Sequence, residues 1–143
     1  MVTEIYPQDV KKFIHLCDER IWKKAIKKKD HMLGSMWETK VGMLPAGVMI
    51  YAIKSHVGQV KESFIYVKWV YASLVASKPE VIYEDFFDEI QNVAKRLNIN
   101  LISISIPKTE EYNCEGLSSY IEKRGYVLRE GNSENIDAVL KIT

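Results

Sequence analysis

His15, Cys17, His31, His56 and Cys114 are the side chains of this 143-residue chain whose types could ligate a metal or supply a thiolate nucleophile. Their spacing argues against both roles. His15 and Cys17 stand two positions apart, so on a helix they diverge by about 200° and cannot clamp one ion without distant partners. No Cys/His pair has zinc-like spacing, and a His and a Cys in one sequence fall far short of a base and nucleophile pair, so no metal site or thiol chemistry is expected. Neither Gly-x-x-x-x-Gly-Lys-Ser/Thr nor Gly-x-Gly-x-x-Gly occurs, which removes nucleotide binding through those loops.

Charge is the second chemical signal. Twenty Lys and Arg against nineteen Asp and Glu leave a net charge of only +1, too little for a whole-protein field that advertises nucleic acid or an anionic membrane. The balance conceals a split: residues 7–29 carry eight basic and three acidic side chains, whereas from Glu80 onward twelve acidic face seven basic. Lys23, Lys24, Lys27, Lys28 and Lys29 suit the negative end of a helix dipole, and a solvated face is their ordinary role; an anion-binding patch is the sharper alternative, with nucleic acid not the expected partner. No apolar run approaches the roughly 20 residues a membrane span needs, and the first residues have no leader pattern. With two cysteines, this predicts free thiols in the reducing cytoplasm.

The elements that must position any site come from periodicity. At 47% hydrophobic and 27% charged, with neither repeat nor linker, the chain predicts one domain over residues 1–143. Val2–Tyr6 reads as a strand ended by Pro7, and Val10, Phe13, Ile14, Cys17, Ile21 and Ala25 predict one long amphipathic helix after it. His31, Met32, Leu33, Met36 and Trp37 suggest a short second helix interrupted by Gly34. Val48–Ile53 and Phe64–Tyr71 read as a hairpin with a long loop. Ser77 and Glu80 form a capping-box pattern ahead of a helix carrying Phe86, Phe87 and Ile90. A strand over Leu101–Ile106, a short helix around Leu117 and Ile121 ending at Gly125, and a final hairpin complete an α+β order of elements with both parallel and antiparallel pairs.

That order, together with Ser118-Ser119-Tyr120-Ile121-Glu122-Lys123-Arg124-Gly125-Tyr126 on the late helix, resembles the GNAT acyltransferase superfamily, whose late helix commonly ends in a Tyr-Glu-Lys-x-Gly-Phe phrase. The resemblance implies a mixed sheet flanked by helices, and transfer of an acetyl group from acetyl-CoA to an amine of a small molecule or a protein; a homodimer is left open. It implies that main-chain groups of Val70, Tyr71 and Ala72 pair with the pantetheine arm. Ser77, Lys78, Val81 and Ile82 then mark the diphosphate loop at the start of the major helix, and Asn113 follows the splayed strand. Tyr120 stands for the proton donor, and Glu62, with Glu38, for the carboxylate facing the amine. The chain also departs from the family. Val81 and Tyr83 fill the two glycine positions of the loop, Pro79 has no N–H, and Ile121 occupies the place of the usual tyrosine, leaving Tyr120 about 100° around the helix. Two expectations therefore stand together: an acyltransferase with an atypical loop, or a GNAT-fold binding or structural module that no longer binds CoA.

Overall fold

Seven strands and four α-helices follow one another in the computed structural model, which describes residues 2–55, 63–73, 79–108, 114–130 and 134–142. The strands are β1 (Val2–Glu4), β2 (His31–Thr39), β3 (Gly42–Ser55), β4 (Ser63–Ala72), β5 (Leu101–Pro107), β6 (Val127–Glu130) and β7 (Asn135–Lys141). The helices are α1 (Val10–Phe13), α2 (Glu19–Lys28), α3 (Pro79–Arg96) and α4 (Cys114–Lys123). The sheet order is β1-β2-β3-β4-β5-β7-β6, and β4 lies parallel to β5 while β5–β7 and β6–β7 are antiparallel. The expected mixed α+β architecture is what the chain adopts. The β4–β5 register runs from Ile65↔Ile102 to Val67↔Ile104, and β4 then continues to Ala72.

Two expectations are corrected. The long first helix is two helices, because Cys17 is extended (φ −139°, ψ 142°) and Asp18 starts α2 afresh. Both ends of the hydrogen bond that would bridge the break are taken elsewhere: the Trp69 indole N–H donates to the Leu16 carbonyl at 3.1 Å, and the Arg20 N–H donates to the Asp18 carboxylate at 2.8 Å. The second correction is β2, which replaces the expected short helix. Met32, Leu33, Gly34 and Ser35 are all buried in succession, so both faces of this strand are covered and no alternation marks it.

The chain divides into two compact units, Met1–Tyr51 with Trp69–Glu89, and Ala52–Lys68 with Ile90–Thr143. In the first, Ile5, Val10, Phe13, Leu16, Ala25, Met32, Val48 and Ile50 form a buried cluster on which Trp22, Trp69 and Tyr71 pack. Gly47 lies on the alternate face of β3, where the first turns of α3 approach it. In the second, α4 lies against β5 and β6, with Leu117, Ile121, Ile102, Ile104 and Ala138 all at or near zero exposure.

All three longer helices end in one motif. At Gly125 (φ 99°) the Tyr126 N–H reaches the Ile121 carbonyl at 3.0 Å and the Gly125 N–H reaches Glu122 at 3.1 Å. The same pair of bonds closes α3 at Asn98 (φ 55°) and α2 at Lys29 (φ 57°). These left-handed closures satisfy carbonyls that a helix end otherwise leaves without partners.

Candidate functional site

Gly47 fixes the geometry around the start of α3. A Cβ at this position would lie 2.8 Å from Ile82 Cγ2, 2.8 Å from the Tyr71 carbonyl oxygen and 2.9 Å from Phe86 Cε2. The missing side chain thus lets α3 settle against β3 and the end of β4, and the Ser73 N–H to Ala46 carbonyl bond of 2.7 Å holds the same corner. Val70 and Ala72 are buried and Tyr71 is half-buried, so this end of β4 is a packed rail with its side chains committed.

Expected site residues separate into three groups. Tyr71 and Ile82 meet at Gly47, Val70 and Ala72 flank Tyr71 on β4, and Val81 stands on the first turn of α3, 52% exposed. Tyr120 belongs to α4 in the other unit. Glu62, Ser77, Lys78 and Asn113 lie outside the described residues, as does the side chain of Glu38, whose backbone pairs with Met43 in the β2–β3 ladder.

The residues present meet a CoA diphosphate only halfway. A helix leaves the N–H groups of its first three residues without internal partners, so Glu80 and Val81 can offer two; Pro79 offers none, and the exposed Val81 side chain leaves the turn accessible. Against this, Glu80 sets a carboxylate on that turn, and Ile82 is turned inward onto Gly47. Tyr83, at the second glycine position of the expected loop, is buried; burial, then Glu80 and Tyr71, push its hydroxyl up to about 12 from 10.0.

On α4 the Tyr120 hydroxyl accepts a hydrogen bond from Arg124 Nη1 at 3.2 Å, and Arg124 Nη2 donates to Gln91 Oε1. One guanidinium thereby ties a half-buried tyrosine on α4 to Gln91 of α3. Ile121 is fully buried and cannot replace it. Gly47 and the Arg124–Gln91 link were not singled out from sequence. The lone glycine inside a strand pattern and the Tyr–Arg spacing of four on a helix were the available signals.

Cys17 is a free thiol pushed up to about 12 from 9.0 by burial and then by Asp18, which makes it an unreactive neighbour of the helix break. Among the described residues no group of three or more His, Cys, Asp or Glu is placed to hold a metal, and no helix is long and apolar enough to cross a membrane. Tyr126 is likewise shifted upward by burial. Folded values above unfolded ones mean that stability is intact below about pH 9 and is lost as pH rises through about 12, where deprotonation favours unfolding. Urea midpoints are therefore expected to fall steeply between pH 9 and pH 12, and a Tyr83→Phe, Cys17→Ser variant should lose less over that interval; an equal loss would refute the assignment.

Superposition on solved structures decides the fold. Over its full length the chain matches Arabidopsis thaliana NAA60 in complex with a bisubstrate analogue, at a TM-score of 0.72 and 8% identity, covering 100% of this chain and 99% of that one. The chain has the GNAT fold. A Bacillus subtilis acetyltransferase in complex with CoA matches at a TM-score of 0.68 and 12% identity, covering 99% of this chain and 98% of that one. The NatC complex bound to Gag peptide and CoA matches at 0.66 and 10% identity, covering 100% and 98%. No protein-family model matches the chain and none of the curated proteins does. In the GNAT frame the Lys-Arg-Gly-Tyr ending of α4 is fully accounted for by its left-handed closure, which α2 and α3 repeat without that phrase.

Proposed function

We propose that this GNAT-fold chain transfers an acetyl group from acetyl-CoA to an amine on a small molecule or a protein. The supporting observation is the end-to-end agreement of its fold with acetyltransferases solved with CoA or a bisubstrate analogue bound. Acetyl-CoA, when bound, supplies the activated acyl group as a thioester. Main-chain groups of Val70, Tyr71 and Ala72 would hold its pantetheine arm, while Ser77, Lys78 and the start of α3 at Val81 and Ile82 would receive its diphosphate, with Asn113 contributing from the stretch after β5. Glu62 would take the proton from the amine, and Tyr120, which accepts a hydrogen bond from Arg124, would give one to the thiolate of the CoA leaving group. A free, unreactive Cys17 is compatible with the cytoplasm as the site of action.

Thermal unfolding with acetyl-CoA or CoA tests this directly. Ligand at 100 times its dissociation constant stabilises by about 2.7 kcal/mol, a rise of roughly 5–15 °C for a domain of this size. Lys78→Glu should abolish the rise. An unchanged midpoint at millimolar CoA defeats the proposal in favour of a second reading, a binding module that has kept the scaffold. The observations favouring that reading are Ile82 turned into the Gly47 notch and Tyr83 buried at the loop's second glycine position.

A further inference from the structure

The basic side chains of α2 are more than a complement to its dipole. That effect is confined to the last turn and accounts for Lys27 and Lys28. Arg20, Lys23 and Lys24 lie earlier on the helix and are equally exposed. The acidic residues at the head of the helix are already engaged, Asp18 as the cap on the Arg20 N–H and Glu19 with Lys23 at 2.5 Å. What remains outward is a dense cationic strip on a chain whose net charge is only +1.

This strip ends at a cleft. Beyond the last turn of α2 lies a cavity of about 250 Å³ lined by Glu4, Tyr6, Ile26, Lys29, Asp30 and His31. Tyr6 is 53% exposed and Ile26 41% exposed, while the His31 ring is braced by stacking on Tyr51 at 4.9 Å and 16°. The volume falls below the roughly 300–1,000 Å³ of drug-sized ligand pockets, so it suits a single ring system. A cationic track leading to an aromatic-lined, one-ring cleft is the combination by which single strands are held: phosphates on the lysines, a base on the aromatic face.

We propose that α2 and the cleft at its C-terminal end bind single-stranded nucleic acid, with phosphates along Arg20, Lys24, Lys27 and Lys28 and one unstacked base against Tyr6. The Glu4 carboxylate, exposed on the edge strand, accepts only, and so favours a base offering an exocyclic amino group, such as cytosine, over uracil. The site is independent of CoA and stands or falls without it.

Fluorescence anisotropy with labelled 12-mers of ribo-C, ribo-U and deoxy-C, titrated at several KCl concentrations, tests the surface. Binding is expected to weaken with salt at a slope of about −0.7 for each phosphate held. Ribo-C should bind at least severalfold more tightly than ribo-U, and the comparison with deoxy-C separates an RNA from a DNA site. Lys24→Glu with Lys27→Glu should weaken every oligonucleotide and flatten the slope by about 1.4, two contacts' worth. Tyr6→Ala should weaken all of them about tenfold with the slope unchanged. Both variants are at exposed positions, and unaltered circular dichroism shows that they fold. No anisotropy change at 50 mM salt overturns the proposal, as does heparin displacing the oligonucleotides while Tyr6→Ala has no effect, since that pattern is adsorption of any polyanion.

Discussion

A Tyr120→Phe variant is expected to lose about 10²–10⁴-fold in kcat while the KM for acetyl-CoA stays within a few-fold, the range observed when a positioned proton donor is removed. The change deletes one oxygen from a half-buried ring and leaves its packing in place, so stability should fall by no more than about 1–2 kcal/mol. The register of α4 makes this a sharp test. Ile121 occupies the position where the resemblance sets a tyrosine, and it is fully buried, whereas Tyr120 keeps its hydroxyl on the Arg124 guanidinium. Arg124→Gln should act more mildly, through the orientation of the phenol. A Tyr120→Phe enzyme with unchanged kcat would mean that the thiolate leaves with a proton from water and that the ring is there for packing.

Gly47 carries the second large effect. Replacement by alanine is expected to destabilise the chain by about 1–3 kcal/mol, as overpacking a filled core does, and valine by more, against a total stability of roughly 5–15 kcal/mol. Relief at Ile82 should be incomplete. In a Gly47→Ala, Ile82→Ala double variant the new Cβ still meets the Tyr71 carbonyl, a backbone atom 2.8 Å away that cannot rotate aside. Urea unfolding of the single and double variants reads this as a coupling energy, and full rescue in the double variant would place the obstruction on the side chain alone.

The sequence carried the sheet's inventory better than its exceptions. β5 was legible because Ile102, Ile104 and Ile106 are buried and alternate with Leu101, Ser103 and Ser105, which are only partly so. The end of α4 was legible because Gly125 sits where only a left-handed residue closes the helix. β2 was not, since contiguous burial erases the period of two and leaves spacings that also fit a helix. Gly34, read there as an interruption, is a contact: its missing Cβ would come within 2.7 Å of the Phe13 ring. The break at Cys17 was hidden for a related reason. Phe13, Ile14, Cys17 and Ile21 all belong to one buried cluster or pack on it, so helical spacing persists across two separate helices. The Asp18-Glu19 pair, a cap followed by an acidic first turn, was the local clue.

The candidate site was less legible than the fold. A cofactor loop is recognised by glycines and N–H groups, and the residues assigned to it here include a proline, a valine and a tyrosine. What α3 does show is a helix brought close to β3 by a glycine two elements earlier in sequence, a relation that no local spacing encodes. Tyr120 was singled out through its neighbours in the late helix, but the Arg124–Gln91 bond behind it joins positions 33 residues apart and emerges only when α3 and α4 are both in place.

The insertion of β7 between β5 and β6 imposes an order of events on a growing chain. β5 emerges from the ribosome well before the strand that pairs with it from Leu101↔Lys141 to Pro107↔Asn135. Until β7 is synthesised, one flank of an isoleucine-rich strand stays open to any passing chain of similar character. Nascent molecules stalled near residue 130 should therefore lean on chaperones, and they should be the species that precipitates first when translation outruns them.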